Sequence, residues 1–157
     1  MHLLHKDIAQ EIGSLLSSRK QTISVAESCT AGNVAVNLTL ISGSSDYFKG
    51  GIVAYWDEIK QKLLSVDSED IKRHSVVSNE VAKQMAHGIK DKFNTDFAIA
   101  TTGYAGPNGE NVGQVFIAVT SANNTIVKEY KFKGKRIEIV SKATYKALSL
   151  FLEEIKS

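Results

Sequence analysis

The sequence has 157 residues, 43% hydrophobic and 23% charged, the composition of one folded domain with a sizeable core rather than a disordered or fibrous chain. Nineteen basic residues against 17 acidic leave a formal charge of +2, with the signs interspersed, which does not suggest a nucleic-acid partner. No apolar stretch reaches the length of a membrane-spanning helix and no apolar signal core opens the chain, so it is read as cytoplasmic with no membrane partner, and the single Cys29 excludes an internal disulfide framework or a multi-thiolate metal site.

Residues 1–157 are read as a single domain. Lys6 to Lys20 carries Ile8, Ile12, Leu15 and Leu16 at helical spacing and predicts an amphipathic helix. Thr22 to Ala26 predicts a strand that runs into the small residues Glu27 to Gly32, followed by the helical pattern Val34, Leu38, Ile41. A strand, tight turn and helix N-terminus of this kind can present backbone N–H groups to an anion. Ser42 to Ser45 ends that helix, and Tyr47 to Trp56, with paired glycines at 50 and 51, predicts a hairpin or a kinked strand.

Asp57 to Leu64 predicts a short helix that Asp57 can cap, and Ser78-Asn79-Glu80 starts another whose inner face is Val81, Met85, Ile89 and Phe93. Asp96 to Ala100 predicts a short apolar strand, and Thr101 to Gly109 a second loop of small residues. If the strands ending near Ala26 and Ala100 are parallel neighbours, the loops that follow them share one site. Gln114 to Ser121 and Thr125 to Phe132 predict a hairpin through Asn123-Asn124. The last helix starts near Arg136 and buries Val140, Ala143, Ala147, Leu148, Phe151, Leu152 and Ile155. Between Lys128 and Arg136 five basic residues surround Tyr130 and Phe132, either as a solvated strand and turn or as a face for an anionic ligand.

No Walker lysine motif, dinucleotide fingerprint, paired-histidine zinc motif or nucleophile elbow occurs. His2, His5, His74 and His87 are dispersed and read as surface or locally bonded histidines. Cys29, beside a helix start, reads either as a small buried residue or as an activated nucleophile. Ser28 and Thr30 either cap the helix or donate hydrogen bonds to an oxyanion. Ser45, Tyr55 and Lys60 form a group of another kind, because a desolvated lysine can take a serine proton during attack on an amide carbonyl. Spacing alone leaves surface roles for Ser45 and Lys60 open.

Val25 to Gly32, Gly43-Ser44-Ser45, Gly50 to Tyr55 with Lys60, Val77-Ser78 and Thr102 to Pro107 stand in the order and approximate spacing of the CinA C-terminal domain family, which nearly the whole chain resembles. The resemblance implies a three-layer α/β/α sandwich around a mixed sheet. It further implies hydrolysis of the carboxamide of nicotinamide mononucleotide to the acid and ammonia, in pyridine nucleotide salvage, by a homo-oligomer using no metal and no organic cofactor. Under this resemblance Ser45 is the nucleophile, with Tyr55 and Lys60 handling its proton, and Ser28, Thr30, Gly32, Thr102, Gly103, Gly106 and Arg136 contact the small-molecule nucleotide substrate.

Three departures from the family pattern stand out, of which the short loop and Val140 favour rival readings, a catalytically impaired nucleotide-binding or structural protein, or an amidase for another small amide. Ala31 replaces a glycine, the loop after Pro107 is short, and Val140 stands where a second arginine is expected, with Lys142 or the basic strand as candidate replacements.

Overall fold

The computed structural model describes residues 3–157. Five strands form one sheet in the order β2-β1-β3-β4-β5: β1 (Ile23–Glu27), β2 (Phe48–Val53), β3 (Phe97–Gly103), β4 (Gln114–Thr120) and β5 (Thr125–Lys131). β1 pairs in parallel with both β2 and β3, whereas β3–β4 and β4–β5 are antiparallel, so the sheet is mixed. Every residue of β1 is buried, as expected of a central parallel strand covered on both faces.

The two faces differ in the size of their side chains. On one, Ile23, Val25, Ile99, Val115, Ile117 and Val119 meet α1 (Lys6–Arg19), α2 (Asn33–Thr39) and α6 (Arg136–Lys156) through Ile12, Leu16, Val34, Leu38, Leu148 and Phe151. On the other, Ala26, Ala98, Ala100 and Ala118 let α5 (Asn79–Phe93) lie close to the sheet, with Met85 and Ile89 against it and Leu64 of α3 (Asp57–Leu64) alongside. The sandwich therefore has a thick apolar layer on one side and a tightly fitted helix on the other. This is the expected three-layer arrangement.

The connections position the site. From the C-terminal end of β1 the chain passes through α2 on one face to reach β2. From β2 it passes through α3, α4 (Ser68–His74) and α5 on the opposite face to reach β3, on the other side of β1. The strand order thus reverses at β1, and the crevice beyond the C-terminal ends of β1 and β3 is where such sheets receive ligands. The two small-residue loops do converge there, Ser28 and Cys29 lining one crevice with Tyr104, Ala105 and Gly106, and Ser28 N–H donates to the Thr101 carbonyl at the end of β3 at 3.1 Å.

Several local expectations change. Of the two readings of Tyr47 to Trp56 the strand holds and the hairpin does not: β2 is one parallel strand with a register shift beside Ile23, and Gly51 lies so close to β1 that a Cβ would stand 2.9 Å from the Val25 carbonyl oxygen. Asp57 lies in the first turn of α3 without a capping bond, while Trp56 occupies the cap position in extended backbone. Thr101, Thr102 and Gly103 extend β3 instead of beginning the loop. α4 was not anticipated, although Asp67 caps it by accepting from Glu69 N–H at 2.7 Å and Asp70 N–H at 3.3 Å. Lys128 and Lys131 are exposed on the outermost strand β5, where charge discourages pairing with another sheet. His2 lies outside the described residues; His5 meets the Tyr145 ring, His74 faces Glu80 and His87 bonds Thr125. Among the described residues, no helix is long and apolar enough to cross a membrane.

Gly88 tests the close fit of α5. Helix propensity favours alanine over glycine by about 1 kcal/mol, but a Cβ at position 88 would lie 2.0 Å from the Leu64 carbonyl oxygen. Packing should win, and Gly88→Ala is expected to lose about 1–3 kcal/mol of stability, read as a lower urea midpoint at unchanged slope.

Candidate active site

A cleft of about 360 Å³ opens at the sheet's topological switch, with Ser28, Cys29 and Lys60 on one side and Thr102 to Gly106 on the other. Lys60 is 1% exposed although it carries an amine, because the first turns of α3 turn it inward with Leu64 one turn further on. Its Nζ lies 3.2 Å from Ser28 Oγ and donates a 2.9 Å hydrogen bond to the Tyr55 carbonyl. Burial disfavours the ammonium form and lowers the Lys60 pKa from its ordinary 10.5, with the Asp57 carboxylate opposing that shift. The buried amine and the Ser28 hydroxyl thus stand within hydrogen-bond distance at the floor of an open cleft.

The hydroxyl that meets Lys60 is therefore that of Ser28, and the expected pairing with Ser45 is corrected. Ser45 is exposed in a 3₁₀ turn at Ser44–Asp46, just before β2 begins. In the parallel pairing of β1 with β2, Phe48 lies beside Ile23 and Val53 beside Glu27, so Ser45 enters at the end of the sheet remote from Ser28. Five strand residues separate the two ends by about 16 Å.

Tyr55 lines the cleft, half exposed, but its phenol does not point to the Ser28–Lys60 pair. Its hydroxyl accepts a 2.8 Å hydrogen bond from Arg136 Nη2, while Arg136 Nη1 donates to the Gly106 carbonyl. Arg136 thus links the start of α6 to the turn after β2 and to the loop after β3. Thr102 and Gly103 line the wall, the Thr102 hydroxyl donating to the Val76 carbonyl at 2.9 Å. Thr30 and Gly32 do not line it: Thr30 is fully buried among Glu27 and Thr101, and Gly32 precedes α2 at φ +95° beneath Val53.

The anion site expected at the start of α2 is occupied from within. Glu27, 1% exposed, accepts from Val34 N–H at 2.8 Å and Ala35 N–H at 2.9 Å. This carboxylate escaped the sequence reading, although an acid between a strand and a helix start is a capping signal. Tyr104 and Asn108 of the second small-residue loop line the cleft, as do Asp57, Val76 and Val77, which were not anticipated there. Cys29 is not an activated nucleophile: burial and the neighbouring Glu27 push its thiol up to about 12, Thr101 only partly opposing. Lys142 is not among the residues that line the cleft; its amine donates to the Lys133 carbonyl. Among the described residues no three His, Cys, Asp or Glu side chains gather as a metal site requires.

The model of the CinA C-terminal domain matches residues 5–155. The chain belongs to the CinA C-terminal domain family. A CinA-like protein of Flavobacterium psychrophilum is 45% identical over 148 residues, covering 92% of this chain and 35% of that protein, and one of Thermosynechococcus vestitus is 44% identical over 134 residues, covering 82% and 32%. The chain thus spans about a third of the length of these curated relatives. Among solved structures, the competence damage-inducible protein A of Klebsiella pneumoniae superposes with a TM-score of 0.93 at 32% identity, covering 96% of each chain. The competence/damage inducible protein CihA of Agrobacterium tumefaciens gives 0.92 at 34%, covering 98% of each. In this CinA C-terminal domain Ser28, Cys29, Tyr55, Lys60 and Thr102 to Gly106 come to the cleft from segments that carried the resemblance, and Val76, Asn108 and Arg136 come from outside them.

The sign of the Lys60 shift sets a pH dependence. A lowered folded pKa means that the unfolded chain binds the extra proton first as pH falls from 10.5, so folding loses stability on descending through that range and regains it on rising. Relative to Lys60→Met, which has no such group, the wild-type protein should gain stability between pH 7 and pH 10. Parallel urea titrations of both proteins at several pH values measure the gap.

Proposed function

We propose that this domain is an amidohydrolase that converts the ring carboxamide of nicotinamide mononucleotide to a carboxylate and releases ammonia. The observation that carries the reading is the buried Lys60 amine 3.2 Å from Ser28 Oγ beside an open cleft. Lys60 takes the Ser28 proton as Oγ bonds to the carboxamide carbon. The carbon–nitrogen bond then breaks, and the Lys60 ammonium returns the proton to the departing nitrogen, which leaves as ammonia. Water enters, gives a proton to Lys60 and attacks the acyl carbon, and Ser28 recovers its hydroxyl as the acid departs. Every step uses protein groups and water.

Arg136 supports a nucleotide substrate. Its bonds to Tyr55 and Gly106 use two of the five N–H donors a guanidinium carries, so the group can hold the rim together and still donate to a phosphate. Tyr55 offers a half-exposed ring on the wall of the same cleft, on which a flat heterocycle can lie. The family resemblance supports the choice of amide and its place in pyridine nucleotide salvage. One observation favours a second reading, an amidase for a small amide without phosphate. Val140 packs against the apolar core and supplies no second cation beside Arg136.

Ammonia release should be measured across nicotinamide mononucleotide, its riboside and simple amides. Turnover of the mononucleotide well above the others supports the main reading, and preference for an uncharged amide supports the second. Ser28→Ala and Lys60→Ala are each expected to lower kcat/KM by about 10³-fold or more, while Ser45→Ala stays within about twofold. Because the unprotonated Lys60 is the base, kcat/KM should rise with pH and level off at an inflection below 10.5. For Arg136→Gln the main loss is expected in KM for the mononucleotide.

A further inference from the structure

We propose that Glu27 is a positioning residue for the Ser28 nucleophile, acting through Thr30 and Thr101, and not only the cap of α2. The inference rests on the reading of Ser28 as nucleophile and Lys60 as base. Glu27 Oε1 accepts from the Thr30 hydroxyl at 2.6 Å as well as from Val34 N–H, and Thr30 Oγ1 lies 2.8 Å from Thr101 Oγ1. A carboxylate only accepts, and each hydroxyl has one hydrogen to give. Thr30 therefore donates to Glu27, Thr101 donates to Thr30, and the lone pairs of Thr101 Oγ1 are left for the Ser28–Cys29 backbone turn. Ser28 N–H indeed lies 3.4 Å from Thr101 Oγ1 and 3.1 Å from the Thr101 carbonyl.

The direction of the whole hydroxyl chain is thus set at Glu27, one residue before the nucleophile. The main chain of Glu27 fixes the other side of the pair. Its carbonyl accepts from Ala54 N–H at 2.8 Å, adjoining Tyr55, whose own carbonyl accepts from Lys60 Nζ. One residue consequently holds both the turn that carries Ser28 and the turn that orients Lys60. All its side-chain partners are buried or half-buried, so water does not readily replace a lost bond. A capping role alone needs only Val34 and Ala35; the bond to Thr30 is the part that reaches the nucleophile.

The test uses a fluorophosphonate, which reports on the nucleophile without any amide substrate. Ser28 Oγ bonds to phosphorus, fluoride leaves and Lys60 takes the hydroxyl proton. Wild-type protein should be labelled at Ser28, as mass spectrometry of the digested adduct shows, and Ser28→Ala should not be labelled. Glu27→Gln places an amide N–H₂ among donors and should label about tenfold or more slowly at temperatures where circular dichroism shows it folded, since displacement of a reacting group by about 1 Å costs rate steeply. Thr30→Val keeps the Glu27 cap on α2 but cuts the hydroxyl chain. It should label as slowly as Glu27→Gln, and Thr30→Ser, which restores the hydroxyl, should label at the wild-type rate.

Wild-type labelling rates in folded Glu27→Gln or in Thr30→Val would overturn the positioning role while leaving Ser28 a nucleophile. If Glu27→Gln does not fold, the Thr30 pair decides in the same way. Absence of labelling at Ser28 in the wild-type protein would instead overturn the nucleophile reading and this inference with it.

Discussion

A lysine amine removed from water is the constraint around which this domain is organised. Desolvating a charged ammonium costs several kcal/mol, at roughly the scale of a domain's whole stability, and the group responds by favouring its neutral form. Lys60 has two acceptors within reach, Ser28 Oγ and the Tyr55 carbonyl, and the apolar cluster of Leu64, Met85 and Ala26 lies on its side of the sheet. Keeping those acceptors in place requires that the turns after β1 and β2 be rigid and adjacent. Parallel pairing of these strands supplies that, since Ala54 N–H continues the ladder onto Glu27 after the last paired residues.

The same adjacency explains the division of labour between the two faces. α2 leaves the end of β1 toward the face of large branched side chains, and its first amides are satisfied internally by Glu27. α3 leaves the end of β2 toward the alanine face and delivers Lys60 back to the crevice. Two helices diverging from neighbouring strand ends leave a gap between them, and that gap is the cleft.

Much of this was legible in the residues. The helical stripe of Arg136–Lys156, the Ser78 cap of α5 and the β4–β5 hairpin follow from periodicity and turn chemistry, which are local. So did the convergence of the loops after β1 and β3, because strand-to-small-residue transitions mark strand ends. The serine that meets Lys60 was not legible in this way, since Ser28 and Ser45 are both small residues beside helix ends and only strand direction decides between them. A parallel β2 carries Ser45 to the far end of the sheet; the hairpin allowed by Gly50-Gly51 left that open. The helix start of α2 misled for a related reason. Periodicity shows where amides become available, but an acid next to them can consume the site, as Glu27 does.

Arg136 is joined to the pair only at a distance, through Tyr55 OH and the Gly106 carbonyl. The rim it closes is built from an irregular loop and a helix start, whereas Ser28 and Lys60 sit on a strand end and a buried helix face. Changes of loop length or charge between Tyr104 and Asn108 can therefore accumulate without disturbing the groups beneath. What the cleft admits and what lies at its floor are thus set by separate parts of the chain.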